Sequence, residues 1–127
     1  ALNHKARIVG VVSAHATTYA DSLAAGHVVE APVTTQLADG MACRVANPEA
    51  LAMMQGQIDH IVRVTDAEVA QAMRDLFACT HNVAEGAGAA SFAAAMQDRA
   101  LLAGQTVGIT LCGGNVDSDV LANVLLN

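Results

Sequence analysis

The stretch IVRVTDAEVAQAMRDLFACT, Ile61 to Thr80, decides the fold class. Its first four residues, Ile61–Val64, are apolar or β-branched for the most part and predict a short buried strand. Thr65 and Glu68 then form a T-x-x-E capping box, which predicts the start of a helix. Apolar residues recur on one face of that helix: Val69, Ala72, Met73, Leu76 and Phe77. A strand followed at once by an amphipathic helix is the repeating unit of an α/β fold.

The same alternation extends to both sides of this unit. Three further apolar runs predict strands, at Arg7–Val12, His27–Ala31 and Thr106–Leu111. Further helices are predicted over Thr17–Ala25 with Gly26 as its stop, from Pro48 to about Gln55 after the cap Asn47, and over Ala84–Asp98. We therefore expect a single α/β domain over residues 1–127, with a parallel sheet of about four strands flanked by helices on both sides.

Three smaller expectations complete this outline. A short helical turn is predicted around Leu37, and residues 1–6 resemble the tail of a helix that leads into the first strand. A final helix is capped by Asp117 or Ser118. Its predicted buried face consists of Val120, Leu121, Val124 and Leu125.

The composition argues against several classes of partner. The chain carries a net charge of -6 and 2% aromatic residues, without Trp. Phosphate contacts need clustered Lys and Arg, and single-stranded nucleic acid needs aromatic stacking, so we expect no nucleic-acid partner. No apolar run approaches the roughly 20 residues of a membrane span, so we expect no membrane partner.

Alanine dominates the 54% of hydrophobic residues, which predicts a core of small side chains and closely packed helices.

The cysteines indicate the compartment. Cys43, Cys79 and Cys112 are odd in number and form no C-x-x-C pair, which predicts neither a disulfide framework nor a structural zinc site. A reducing cytoplasm is the expected location.

Ligands of open parallel α/β sheets bind beyond the carboxyl ends of the strands, and two such ends carry polar or glycine-rich residues. One is SAHATT after Val12, and the other is CGGN after Leu111. Each feature also has an ordinary explanation: CGGN is a tight turn, Cys112 a small buried hydrophobe, and Glu85 a carboxylate at a helix start. Asp39-Gly40 is likewise a common turn pair, while the solitary His15 and His81 point to no chemistry by themselves.

Four segments taken together indicate a protein family far more specifically than any of these features does alone. LADGMACR, VTDAEVAQAMRDLF, THNVAEGAGAA and GITLCGGNVD occur in this order. The series closely resembles the C-terminal half of the threonine dehydratase (threonine ammonia-lyase) family, whose members are pyridoxal-phosphate enzymes of the tryptophan-synthase-β fold type, fold type II. Serine racemase is a near relative within this fold type, and the resemblance covers essentially the whole chain.

The resemblance implies pyridoxal phosphate as the cofactor and five cofactor-binding residues. Cys112 matches the family's Ser or Cys that faces the pyridine nitrogen, and Gly40 matches the glycine beside the ring. Glu85 matches a glutamate near the same ring, while Gly113 and Asn115 belong to the turn that sets Cys112. The implied reaction converts L-threonine to 2-oxobutanoate and ammonia, within amino-acid metabolism and isoleucine biosynthesis.

Two parts of the family's machinery have no counterpart in this sequence. The lysine that binds the cofactor covalently and the glycine-rich phosphate loop come earlier in the family's chain, and the only lysine here is Lys5. We therefore expect a fragment with no catalytic residue of its own, which is inactive alone and does not retain the cofactor. Its expected partners are the absent N-terminal half, which contributes to the amino-acid substrate site, and further copies of itself.

Related serine racemases bind a divalent cation through acidic residues after the first strand. Ser13 and Tyr19 stand at about those positions, so no metal site is expected. The alternative function is a Rossmann-like nucleotide-binding module without enzymatic activity, which would use the CGGN turn although the chain lacks a G-x-G-x-x-G motif.

Overall fold

The structure, a computed structural model, describes residues 5–127. The predicted helical tail therefore lies mostly outside the described residues, and Lys5 to Arg7 are not helical. Two strands, β1 (Ile8–Ser13) and β2 (Ile58–Val64), pair in parallel with Ser13 opposite Val64. Because the strands run in the same direction, their carboxyl ends meet at one edge of the sheet.

Helices account for most of the remaining regular structure. They are α1 (Thr18–Ala25), α2 (Pro48–Met54), α3 (Asp66–Thr80), α4 (Gly86–Gln97) and α5 (Ser118–Leu126). A 3-10 turn at Asp39–Met41 lies close to the helical turn predicted around Leu37. The α/β class is thus confirmed, and each of the five helices predicted after the first strand forms within two residues of its expected start.

The helix ends follow the local chemistry of the sequence. The Thr65 hydroxyl accepts the Glu68 backbone amide at 3.3 Å, and the Glu68 carboxylate accepts the Thr65 amide at 2.7 Å, which completes the predicted capping box. The Asn47 side chain caps α2 as predicted, and Gly26 closes α1 in the left-handed conformation with φ of 75°. Asp117 is the cap residue of α5, although its side chain makes no capping hydrogen bond.

The core consists of small side chains between β2, α3 and α4. Val62 and Val64 of β2 meet the predicted stripe of α3, of which Val69, Ala72, Met73 and Leu76 are buried. From α4 come alanines that are at most 4% exposed: Ala89, Ala90, Ala93 and Ala94. The last residue of the stripe, Phe77, is 37% exposed and does not belong to this core.

The predicted number of strands is wrong, since the described residues form two strands and not about four. His27–Ala31 makes only an isolated antiparallel bridge, between Glu30 and Val45. Thr106–Leu111 forms no ladder with any residue from 5 to 127. Apolar sequence favours an extended backbone, but a strand also needs a neighbour for its N–H and C=O groups.

The buried face predicted for α5 is only partly correct. Val124 is 8% exposed and joins the core. The other three residues, Val120, Leu121 and Leu125, are only partly buried. The helix packs mainly against α3, so a single neighbour covers a narrow strip of its surface.

Candidate functional site

Glu85 and Gly113 meet at the N-terminal end of α4. Glu85 is the residue before this helix, and its backbone amide donates a hydrogen bond to the Gly113 carbonyl at 2.8 Å. A Cβ added to Gly113 would overlap the Glu85 carboxylate, so the two residues are in direct contact. Gly113 has a φ of 68°, in the left-handed region that glycine adopts readily.

Gly40 packs on the same turn of α4. A Cβ added to it would lie 2.9 Å from the Ala87 Cβ and 3.8 Å from Glu85 Oε1. Just before it, the Leu37 carbonyl occupies the space that a Gly86 side chain would need. The LADG segment therefore lies directly against the start of α4, and a larger residue at either glycine would separate the two.

The backbone of Cys112 lies against Gly88, in the same first turn of α4. Its carbonyl fills the space that a Gly88 side chain would need. The Ser91 hydroxyl donates to the Thr110 carbonyl at 2.6 Å and so holds the preceding residues against the same helix. The Cys112 residue is exposed, which contradicts the ordinary explanation of a small buried hydrophobe.

Four of the five predicted cofactor-binding residues therefore gather on the first turns of α4. We call Gly40, Glu85, Cys112 and Gly113 the α4 cluster. The fifth, Asn115, is exposed, and its side chain makes no hydrogen bond to any residue from 5 to 127. Sequence reasoning missed Gly88, because the segment EGAGAA indicated only a glycine-rich helix start.

The other candidates lie apart from this cluster. Lys5 is exposed and precedes the amino end of β1. The hydroxyl of buried Ser13 accepts the His15 amide at 3.1 Å, and the Tyr19 hydroxyl accepts the Asn47 amide at 3.2 Å.

Two kinds of feature are absent from residues 5–127. No group of three or more His, Cys, Asp or Glu is placed to hold a metal ion. Over the same part of the chain, no helix has both the length and the apolar character needed to cross a membrane.

The family model described as pyridoxal-phosphate dependent enzyme matches residues 1–113. The chain belongs to this family. The L-threonine ammonia-lyase of Geobacter sulfurreducens is 37% identical over 120 residues, which are 94% of this chain and 30% of that protein. The predicted resemblance to the threonine dehydratase family is thus confirmed.

Solved structures of the family share the fold. The processed form of threonine deaminase isoform 2 from Solanum lycopersicum superposes with a TM-score of 0.83 at 28% identity, over 93% of this chain and 35% of that one. Maize serine racemase gives a TM-score of 0.84 at 26% identity, over 98% of this chain and 39% of that one. The chain thus spans between 30% and 39% of the length of these three relatives.

Family membership makes pyridoxal phosphate the cofactor to test against the α4 cluster. The Glu85 carboxylate accepts no hydrogen bond from any described residue, and the Cys112 residue is exposed. Both residues are thus available to the polar groups of a ligand ring, and their chemistry fits one wall of a cofactor pocket. The individual roles of the five residues stay predictions, while the alternative of a Rossmann-like nucleotide-binding module is not supported.

Proposed function

We propose that this chain supplies one wall of the cofactor pocket of a lyase that deaminates L-threonine to 2-oxobutanoate and ammonia. The observation that carries the proposal is the α4 cluster, in which Gly40 and Gly113 both approach Glu85 at the start of one helix. The names of the Geobacter sulfurreducens relative and of the Solanum lycopersicum structure supply the substrate.

Each residue of the wall has a distinct proposed task. Bound pyridoxal phosphate withdraws electrons from the Cα of an amino acid and so weakens its Cα–H bond. Cys112 would face the ring nitrogen of a bound cofactor, where a thiol is only a weak hydrogen-bonding group and, unlike Asp, would not hold a proton on that nitrogen. Glu85 and the backbone of Gly40 would orient the ring, and the turn of Gly113 and Asn115 would set the position of Cys112. A thiol at this position thus leaves the ring a weaker electron sink than an Asp would, which suits the loss of a β-hydroxyl group.

We further propose that the chain alone is inactive and holds no catalytic residue. Lys5, its only lysine, lies beyond the amino end of β1 and not at the α4 cluster. The phosphate cradle and the covalent attachment site are then supplied by the remainder of the family's catalytic unit. Without that remainder the Cα proton of a substrate has no lysine amine to accept it.

The exposed apolar residues of 106–111 favour an association partner. Val107, Ile109 and Leu111 are between 42% and 45% exposed, and their segment has no ladder with the described residues. We expect this segment to pair with the remainder of the catalytic unit or, in its absence, with a second copy. The free Cys43, Cys79 and Cys112 are compatible with the reducing cytoplasm as its proposed location.

A chimera tests the lyase proposal directly. The matching 120-residue segment of the Geobacter sulfurreducens enzyme is replaced by this chain, and 2-oxobutanoate formation from L-threonine is measured. We expect the chimera to deaminate threonine and its Cys112→Asp variant to lose most of that activity, while Cys43→Asp serves as the matched control at another exposed cysteine. A folded chimera that binds pyridoxal phosphate but deaminates no hydroxy amino acid would overturn the proposal.

The inactivity of the chain alone needs a separate measurement. The chain is incubated with pyridoxal phosphate and L-threonine, beside the Geobacter sulfurreducens enzyme as positive control. We expect no keto acid, and no more borohydride-stable cofactor label than in the Lys5→Arg variant. Robust turnover by the chain alone would show that the inference from the missing lysine is wrong.

A further inference from the structure

Residues 35–38 connect the sheet region to the α4 cluster without regular secondary structure. Among the described residues, all their long-range hydrogen bonds go to one side chain, that of Asp66. Asp66 is the first residue of α3 and follows the carboxyl end of β2 at a distance of two residues in sequence. The Asp66 carboxylate thus ties residues 35 and 36 to the carboxyl edge of the sheet, next to the Thr34 amide, which donates to the His15 carbonyl at 2.8 Å.

Both oxygens of Asp66 are used for this tie. Oδ1 accepts the Thr35 hydroxyl at 2.6 Å, and Oδ2 accepts the Gln36 backbone amide at 2.7 Å. The Thr35 hydroxyl oxygen in turn accepts the Ala38 amide at 3.0 Å. Thr35 therefore donates to Asp66 and accepts from the turn, so it relays the position of the carboxylate to the backbone three residues later.

The turn held in this way sets the contacts of the α4 cluster. Ala38 is 0% exposed, and the carbonyl of the preceding Leu37 fills the space beside Gly86. Gly40 follows within the 3-10 turn and packs against the residues around Glu85. Residues 35–38 have no regular secondary structure of their own and lead directly into the 3-10 turn that contains Gly40. A shift of residues 35–38 would therefore move Gly40 away from Glu85.

We propose that Asp66, acting through Thr35, is a positioning residue for Gly40 and Glu85 in the cofactor-binding wall; its relevance to the cofactor rests on the proposed function. The ordinary explanation of an Asp in the first turn of a helix is stabilisation of the helix dipole. Here the start of α3 is already capped by Thr65 and Glu68. The Asp66 oxygens point instead to a segment that is 30 and 31 residues away in sequence.

The experiment compares Asp66→Asn and Thr35→Val with Asp119→Asn as matched control. Asn offers one acceptor where Asp66 uses two, so either the Thr35 hydroxyl or the Gln36 amide loses its partner. Asp119 is likewise an acidic residue in the first turn of a helix, but it is exposed, whereas Asp66 is partly buried. The Asp119 side chain makes no hydrogen bond to the described residues. The readouts on the chain are the amide NMR shifts and the amide hydrogen exchange of the segment and the cluster.

We expect Asp66→Asn and Thr35→Val each to shift the Gly40 and Glu85 amide signals. The Ala38 amide should exchange about tenfold faster, as expected for loss of a hydrogen bond that a charged group supports. The double variant should go no further than either single variant, because both substitutions break the same relay. Thr35→Ser, which keeps the hydroxyl, should restore the signals.

Changes confined to the first turn of α3, with Gly40 and Ala38 unmoved, would overturn the proposal. If Asp66→Asn fails to fold, Thr35→Val still tests whether the relay positions Gly40 and Ala38. The link to the cofactor is read separately in the chimera, where Asp66→Asn should weaken pyridoxal-phosphate binding and Asp119→Asn should not. Equal binding by both variants would overturn that link. A wild-type chimera without threonine deamination would count against the proposed function, while the positioning role would still be decided by the NMR signals of the chain.

Discussion

The backbone amide of Glu85 donates to the carbonyl of Gly113 at 2.8 Å, and the Gly113 backbone touches the Glu85 carboxylate. This relationship joins the start of α4 to the CGGN turn. Either segment alone has an ordinary explanation, as a helix start or as a tight turn. Their contact means that α4, which begins after Glu85, also sets the position of Cys112.

Gly113→Ala should destabilise the chain more than Gly104→Ala does. Both glycines have positive φ, 68° and 77°, so both substitutions carry the backbone strain of an L residue. Only the Cβ at Gly113 would overlap another residue, the Glu85 carboxylate, whereas Gly104 has nothing within 4 Å. We expect a free energy of unfolding lower by about 1–3 kcal/mol in Gly113→Ala than in Gly104→Ala, measured by urea denaturation. Equal losses would show that strain alone requires the glycine.

Gly88→Ala should destabilise the chain although helix propensity predicts the opposite. Propensity alone would stabilise the helix by about 1 kcal/mol. The Cys112 carbonyl, however, already occupies the position of the new Cβ. We expect a net loss in stability, together with a changed rate of Cys112 alkylation in a chain without the other two cysteines.

The size of the propensity effect in this chain is calibrated by Ala78→Gly. Ala78 is an exposed residue of α3 and reports the cost of glycine in a helix without a close contact. Stabilisation by Gly88→Ala of the same magnitude would mean that Cys112 can move away from α4 freely.

His60 should make the stability of the chain depend on pH. Hydrogen bonds from its ring to Asp59 at 2.8 Å and to Asp98 at 3.4 Å hold its pKa above the usual 6.5. Asp59 also lies 3.9 Å from Arg7, so the ring shares this carboxylate with a cation. The stability contributed by the charged ring is fully present below pH 6.5 and is lost as the pH rises through the raised pKa.

Thermal unfolding across this pH range provides the measurement. The midpoint should fall on the alkaline side of pH 6.5, and His60→Gln should flatten this part of the profile. His27→Gln is the control, because His27 is exposed and, among the described residues, its ring forms a hydrogen bond with the Ala25 carbonyl and none with a carboxylate. If the unfolding midpoint of His60→Gln still falls with rising pH as in the wild-type chain, the pH dependence belongs to another group.

The chain should self-associate through residues 106–111. Val107, Ile109 and Leu111 are exposed apolar residues at alternate positions of a segment without a strand partner among the described residues, which favours edge-to-edge pairing. The net charge of -6 opposes association, so added salt should strengthen it. In sedimentation velocity, we expect the mean mass to rise with concentration and Ile109→Lys to reduce that rise.

Met53→Lys is the control for self-association. Met53 is 78% exposed but lies on α2, outside residues 106–111. A wild-type chain that remains monomeric at all concentrations would contradict the prediction, and an equal effect of both lysine substitutions would place the contact elsewhere.

The elements that could be predicted depend on neighbours within a few residues. The capping box of Thr65 and Glu68, the stop at Gly26 and the cap at Asn47 all form as the sequence indicates. The segment Thr106–Leu111 fails as a strand because a ladder depends on a second segment, which no local pattern specifies.

By itself, the sequence determined the α/β class, the helices and, through its motifs, the family and the cofactor-site candidates. These depend on residue types at short spacings, which are visible along the chain. Only the tertiary structure decided that Glu85 and Gly113 touch, that Gly88 admits the Cys112 carbonyl, and that Asp66 holds the turn before Gly40. The physical reason is that close packing and buried hydrogen bonds join residues far apart in sequence, and the room for a missing Cβ is defined only once those residues have met.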